Sequence, residues 1–158
     1  MGPSFITIGA ILVGLVLLVL VLLGLGTFLG SFRKRGRDAI ARRFAADEVV
    51  LSETLAQSYG EASRGPTQAR GNGALALTTG EVFFLLYVPE RELRIPLASI
   101  REVSIVRGHL GKTGGARLLK IDYHVDGKAD AIAWRLAADP ETWKAKIESL
   151  RAASSTTS

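Results

Sequence analysis

A membrane-spanning helix followed by a mainly β domain with one capping C-terminal α-helix is the fold class this sequence predicts. Three observations carry it. Residues Phe5 to Phe32 contain no charged side chain. Beyond Asn72 the apolar residues fall into short runs separated by turn residues. One stripe at helical spacing, Trp143, Ile147 and Leu150, follows the last of those runs.

The first element is the run Phe5 to Gly30, with the unbroken apolar centre Ile11 to Leu23. At about 1.5 Å per residue it exceeds the ~30 Å of bilayer hydrocarbon, so the sequence predicts one membrane span over 5–30. A cleaved signal peptide is the competitor. It is disfavoured because Met1-Gly-Pro-Ser4 brings no Lys or Arg and the apolar run is longer than a typical signal core. Ala10 with Gly14, and Gly26 with Gly30, match the small-xxx-small spacing of paired membrane helices, which leaves a homodimer through the span open.

Charge is concentrated just past the span. Arg33, Lys34, Arg35, Arg37, Arg42 and Arg43 stand against Asp38 alone, and this stretch holds the entire net charge of +5. Cations at one end of a span are retained in the cytoplasm, so a single-pass protein of the cell membrane is expected, its N-terminus outside and its domain in the cytoplasm. The six cations serve topology first and contact with anionic headgroups second. The rest of the chain is charge-balanced, which argues against a nucleic-acid partner. The bilayer, anionic lipid headgroups or a membrane protein are the expected partners. With no cysteine, disulfides and thiolate zinc sites are excluded, and no cofactor or metal is indicated.

Residues 31–47 are expected to continue the helix as a basic linker, with Ile40 and Phe44 one turn apart. A domain over 48–151 follows. Glu48 to Tyr59 fits a first strand better than a helix, and Gly60 to Gly73, containing Arg64 and Arg70, reads as a flexible loop. Ala74–Thr79 and Val82–Val88 form a hairpin about Gly80-Glu81. Glu92–Leu97 is an edge strand because Pro96 cannot donate to a ladder. Val103–Arg107 is the next strand. Leu119, Ile121, Tyr123 and Val125 alternate with polar residues, Asp126-Gly127 supplies a two-residue turn, and Ile132, Trp134 and Leu136 alternate again. Asp139 as N-cap with Pro140 behind it starts the last helix. Its Trp143 and Ile147 are expected against Leu85, Ile121 and Trp134, and 152–158 is expected to be a disordered tail.

Gly108-His-Leu-Gly-Lys-Thr113 is not a phosphate loop, since Val106 stands where the first glycine belongs and a strand follows. It reads instead as a glycine-rich hairpin loop edged by Arg107, His109, Lys112 and Arg117, candidate contacts for an anion or a partner. A solvated edge is the plainer reading. No catalytic motif is present, so no enzyme is expected.

Gly73-Ala-Leu-Ala-Leu-Thr78, the apolar run after it, Ile95-Pro-Leu-Ala-Ser-Ile-Arg-Glu-Val103, Leu118-Leu-Lys-Ile121 and Trp143 in the last helix resemble the PH-like superfamily, especially its GRAM and bacterial PH branches. The resemblance implies a PH-like split β-barrel and a non-catalytic adaptor that binds phosphoinositides, other lipids or protein segments. It also implies ligand contact through basic residues of a strand-connecting loop, usually the first, whereas the glycine-rich loop comes later. From a different class, a structural subunit that assembles a membrane complex through its span fits the same chain.

Overall fold

The computed structural model describes residues 5–65 and 67–155, the side chains at 5–8, 25, 28, 29, 114 and 155 excepted. Helix α1 runs from Phe5 to Ala41 without a break. The strands are β1 (Val49–Glu61), β2 (Gly71–Thr78), β3 (Glu81–Tyr87), β4 (Glu90–Pro96), β5 (Ile100–His109), β6 (Lys112–Val125) and β7 (Lys128–Arg135), and helix α2 (Pro140–Ser155) ends the fold. All pairings are antiparallel, in the order β4-β3-β2-β1-β7-β6-β5. Residues 48–59, ambiguous in sequence, lie mostly in the long central strand β1, which pairs with both β2 and β7.

Among the described residues no helix is long and apolar enough to cross a membrane. The unbroken apolar stretch with described side chains is 9–24, roughly 24 Å of helix against ~30 Å of hydrocarbon. The expected span over 5–30 is therefore not carried by the described residues.

Inside the curved sheet lies the main core, where Leu75, Phe84, Leu119, Ile121 and Trp134 meet Trp143 and Ile147 of α2. The start of α2 follows the expected rule, with the Glu141 N–H donating to the Asp139 carboxylate at 3.2 Å. The Ala137 and Ala138 N–H groups donate to Glu53 (2.6 and 3.3 Å) and fix the approach to the helix. Its end differs from expectation. Residues 152–155, read as disordered tail, are helical, and the Arg151 guanidinium donates to the Ile100 carbonyl at 2.7 Å. Positions 156–158 lie outside the described residues.

Leu85 is a correction. Buried residues run without gap from Val82 to Tyr87, because alternate side chains enter two different cores. Val82, Phe84 and Leu86 face α2, while Phe83, Leu85 and Tyr87 face outward into a second cluster with Ala39 and Ile40 of α1, flanked by Phe32 and Phe44. The sheet is covered on both sides there, and the end of α1 is part of the domain rather than a linker to it.

Candidate functional site

The docked end of α1 sets the geometry. Its Phe32 ring stacks on Tyr87 at 5.4 Å, and Phe44, just past the helix, meets Phe83 edge-on at 5.3 Å. Tyr87 and Phe83 lie at opposite ends of β3, so α1 descends along that strand. Close approach requires Gly36, where a methyl group would overlap the Tyr87 hydroxyl and crowd Thr54. That hydroxyl donates to the Thr54 carbonyl at 2.6 Å, and burial, opposed by Arg35, pushes its pKa up to about 12.

The six cations after the apolar run divide into two sets. Arg35 pairs with Glu90 and lies 5.8 Å over the Tyr87 ring. Arg43 pairs with Glu92, lies 5.5 Å over the Phe83 ring and caps the Ala39 carbonyl. The hydrogen bond from Arg43 holds the Glu92 carboxyl below its usual range. Lys34 bridges to Asp38 at 2.7 Å along the helix. Arg33, Arg37 and Arg42 are exposed and form no ion pair among the described residues. Half of the cluster, Lys34, Arg35 and Arg43, therefore has carboxylate partners in the chain.

The second set of candidates does not converge. The glycine-rich segment tightens to a two-residue turn, Leu110 and Gly111, both at positive φ (49° and 74°), so Arg107 and Arg117 lie on strands rather than on a loop. His109 is 7% exposed and its Nε2 meets the Gly60 carbonyl at 3.0 Å, tying the β5 tip to β1. It does not present itself to an anion. Arg117 reaches Asp139 (3.6 Å) and Glu141, stapling β6 to the start of α2. Arg107 and Lys112 stay exposed. Of the four, only Lys112 lines the neighbouring polar cleft of about 460 Å³, opposite Arg70 and Tyr59.

Burial lowers the pKa of His109, against the hydrogen bond to Gly60 that raises it; Lys120 and Arg70 add to the lowering and Asp122 opposes it. The unfolded chain takes up this proton first as pH falls below the ordinary 6.5, so stability present above that value is lost as pH drops towards the lower folded-state pKa. Urea midpoints measured downwards from pH 7 should fall, and His109→Gln should flatten that slope. An unchanged slope would remove His109 as its source.

A third cluster closes the end of the sheet where β1, β4 and β6 meet, around a cavity of about 360 Å³. Glu61 is 5% exposed and holds Arg64 (3.1 Å) and Arg91 (2.5 Å) by charge, with one carboxylate oxygen lacking a well-directed hydrogen bond. Asp130 accepts from the Ser63 N–H (2.9 Å), the Ser63 hydroxyl (2.6 Å) and the Tyr123 hydroxyl (3.2 Å). Burial would raise its pKa, but those donors outweigh burial and keep it low. Tyr123 is raised by burial and by the Asp130 and Glu61 charges. Arg94 pairs with Glu81 at 2.9 Å. Every arginine lining this cavity thus has a carboxylate partner, and the chemistry offered to a phosphate is weak.

Arg70 is the cation that sequence reasoning left in a loop. Both Gln68 and Arg70 are pinned to β1: Gln68 bridges the Glu61 N–H and carbonyl (2.7 Å each), and Arg70 Nε donates to the Tyr59 carbonyl at 2.8 Å. That places Arg70 beside Phe32, Leu55, Tyr87 and Val88, where a cleft of about 320 Å³ separates α1 from the sheet. No local sequence signal joins residues 38 positions apart.

No protein-family model matches the chain, and no curated protein matches it by sequence. Solved structures do. The Vps36 N-terminal PH domain superposes with a TM-score of 0.50 at 14% identity, over 69% of this chain and 82% of that one. A C-terminal domain of an unknown protein from Leishmania infantum gives a TM-score of 0.46 at 14% identity, over 78% and 97% of the two chains. The fold is PH-like: a mainly β sheet with a C-terminal helix.

Proposed function

We propose that the chain is a non-catalytic binding module of PH-like fold that α1 tethers to the cytoplasmic face of the cell membrane, where it engages an anionic lipid headgroup or a segment of a membrane protein. One observation carries the reading. Every large apolar side chain from Ile11 to Leu23 is 52 to 65% exposed, so nothing among the described residues covers this stretch. A helix apolar on all sides needs an apolar surrounding, and lipid supplies it. The uncharged run continues on both sides of that stretch, from Phe5 to Phe32, which is long enough for the hydrocarbon. Arg33, Arg37 and Arg42, exposed and without an ion pair among the described residues, favour the cytoplasmic side for the domain.

The reading is tested in cells. The full chain should stay in the membrane pellet after an alkaline wash, and a C-terminal reporter active only in the cytoplasm should give signal. Release by the wash would remove the anchor from the proposal, and a silent reporter would remove its orientation.

A further inference from the structure

We infer that the cleft between α1 and the sheet, at the start of β2 and the end of β3, is a binding site for an anionic phospholipid of the surrounding bilayer, its phosphate on Arg70 and its upper acyl chain between Phe32 and Val88. The inference rests on the anchoring reading. Because α1 is one helix from Phe5 to Ala41 and its last turns dock on the sheet, the domain cannot swivel about the anchor. The uncharged run ends at Phe32, and Phe32 stacks on Tyr87, so the bilayer surface falls at the Tyr87–Val88 end of β3. Phe44, at the other end of the strand, is turned away from it.

What stands at that level suits a lipid. Val88, on the turn between β3 and β4, is 69% exposed, more than any other large apolar residue described outside α1. It shares the cleft with Phe32, Leu55 and Tyr87, which form apolar walls, and with Arg70, the only charged side chain lining it among the described residues. Arg70 spends Nε–H on the Tyr59 carbonyl, and its guanidinium has further donors for phosphate oxygens. Arg33, one residue beyond Phe32, is exposed on the same end of the docked helix. The cavity lined by Arg64, Arg91 and Arg94 is the poorer anion site, since each of those arginines is already paired.

The chain has no cysteine, so single-cysteine variants of the full protein report position cleanly. Val88→Cys, Leu17→Cys and Thr79→Cys, each carrying an environment-sensitive dye, are reconstituted in vesicles of phosphatidylcholine with a minority of phosphatidylglycerol, one of the two bearing a nitroxide near the glycerol. Leu17 reports the anchor, and Thr79, at the opposite end of the sheet, reports free solvent. Quenching is expected at Val88 and not at Thr79, stronger from labelled phosphatidylglycerol than from labelled phosphatidylcholine by about fivefold, the preference one cation gives at an anionic surface. Arg70→Gln should bring that ratio close to one, Arg70→Lys should restore it, and Lys146→Gln, an exposed cation of α2, should leave it unchanged. A buried dye at Leu17 with an unquenched dye at Val88, or equal quenching by the two lipids, overturns the site alone. A solvent-exposed dye at Leu17 overturns the anchoring reading and the site with it.

Discussion

A chain shortened to begin at Glu48 is expected to lose cooperative unfolding and to precipitate, while one beginning at Ser31 stays folded. The difference lies in the outer face of the sheet. Ala74, Ala76, Phe83, Leu85 and Tyr87 are each at most 3% exposed, and the residues over them are Phe32, Ala39, Ile40 and Phe44. Fully burying a large apolar side chain contributes roughly 1.5–3 kcal/mol. With Ile40 buried and Phe32 and Phe44 half-buried, the docked segment contributes on the order of 5 kcal/mol, comparable with the entire ~5–15 kcal/mol stability of a typical domain. Removal also uncovers one contiguous aromatic patch, which favours aggregation. Urea unfolding of the two fragments decides the matter, with Ile40→Asp in the longer one as a milder version of the same insult. Midpoints that agree between the two fragments would show that α1 merely rests on the sheet.

That result bears on what could be read from sequence. The hairpin of β6 and β7 is legible because Leu119, Ile121 and Tyr123 alternate with polar residues and Asp126-Gly127 takes the positive φ (49° and 75°) its turn requires. Helix α2 is legible from Trp143, Ile147 and Leu150. Val82 to Tyr87 is different in kind. A run apolar at both parities announces a strand buried on both faces, yet Phe83 and Phe84, or Leu85 and Leu86, are equally hydrophobic, so nothing local assigns either to a face. Leu85 was expected against α2 for that reason. The turn at Leu110-Gly111 was hidden as well, because leucine at positive φ is uncommon and leaves no signature. With the turn hidden, His109 read as a loop residue instead of a buried link to Gly60. Arg70 is held by the Tyr59 carbonyl of β1 and lines a cleft shared with Phe32 of α1 and Tyr87 of β3, and only the assembled fold brings those together.

Trp143→Ala should cost on the order of 3–5 kcal/mol, the usual range for removing a buried aromatic ring that leaves a cavity. The ring is 2% exposed and lies in the same core as Trp134, Ile121 and Phe84, with Phe84 and Trp134 edge-on at 5.6 Å. Among the contacts that hold α2 in place, the ion pairs of Arg117 and the apolar stripe differ in magnitude. Arg117 pairs with Asp139 and Glu141, but those side chains are about half exposed, and such surface pairs contribute ~0–1 kcal/mol. The apolar stripe must therefore dominate. Arg117→Ala should shift the urea midpoint only slightly, whereas Trp143→Ala should shift it severely, and truncation before Asp139 should leave a product with strand signal in the far ultraviolet but no near-ultraviolet aromatic signal. Since α2 is the element packed across the inner face against β5 and β6, no other described helix covers Leu119 and Ile121. A large loss on Arg117→Ala with a small one on Trp143→Ala would reverse the order of the two contributions, and a fragment ending at Ala138 that still melted cooperatively near the parent temperature would deny α2 its role as the plug.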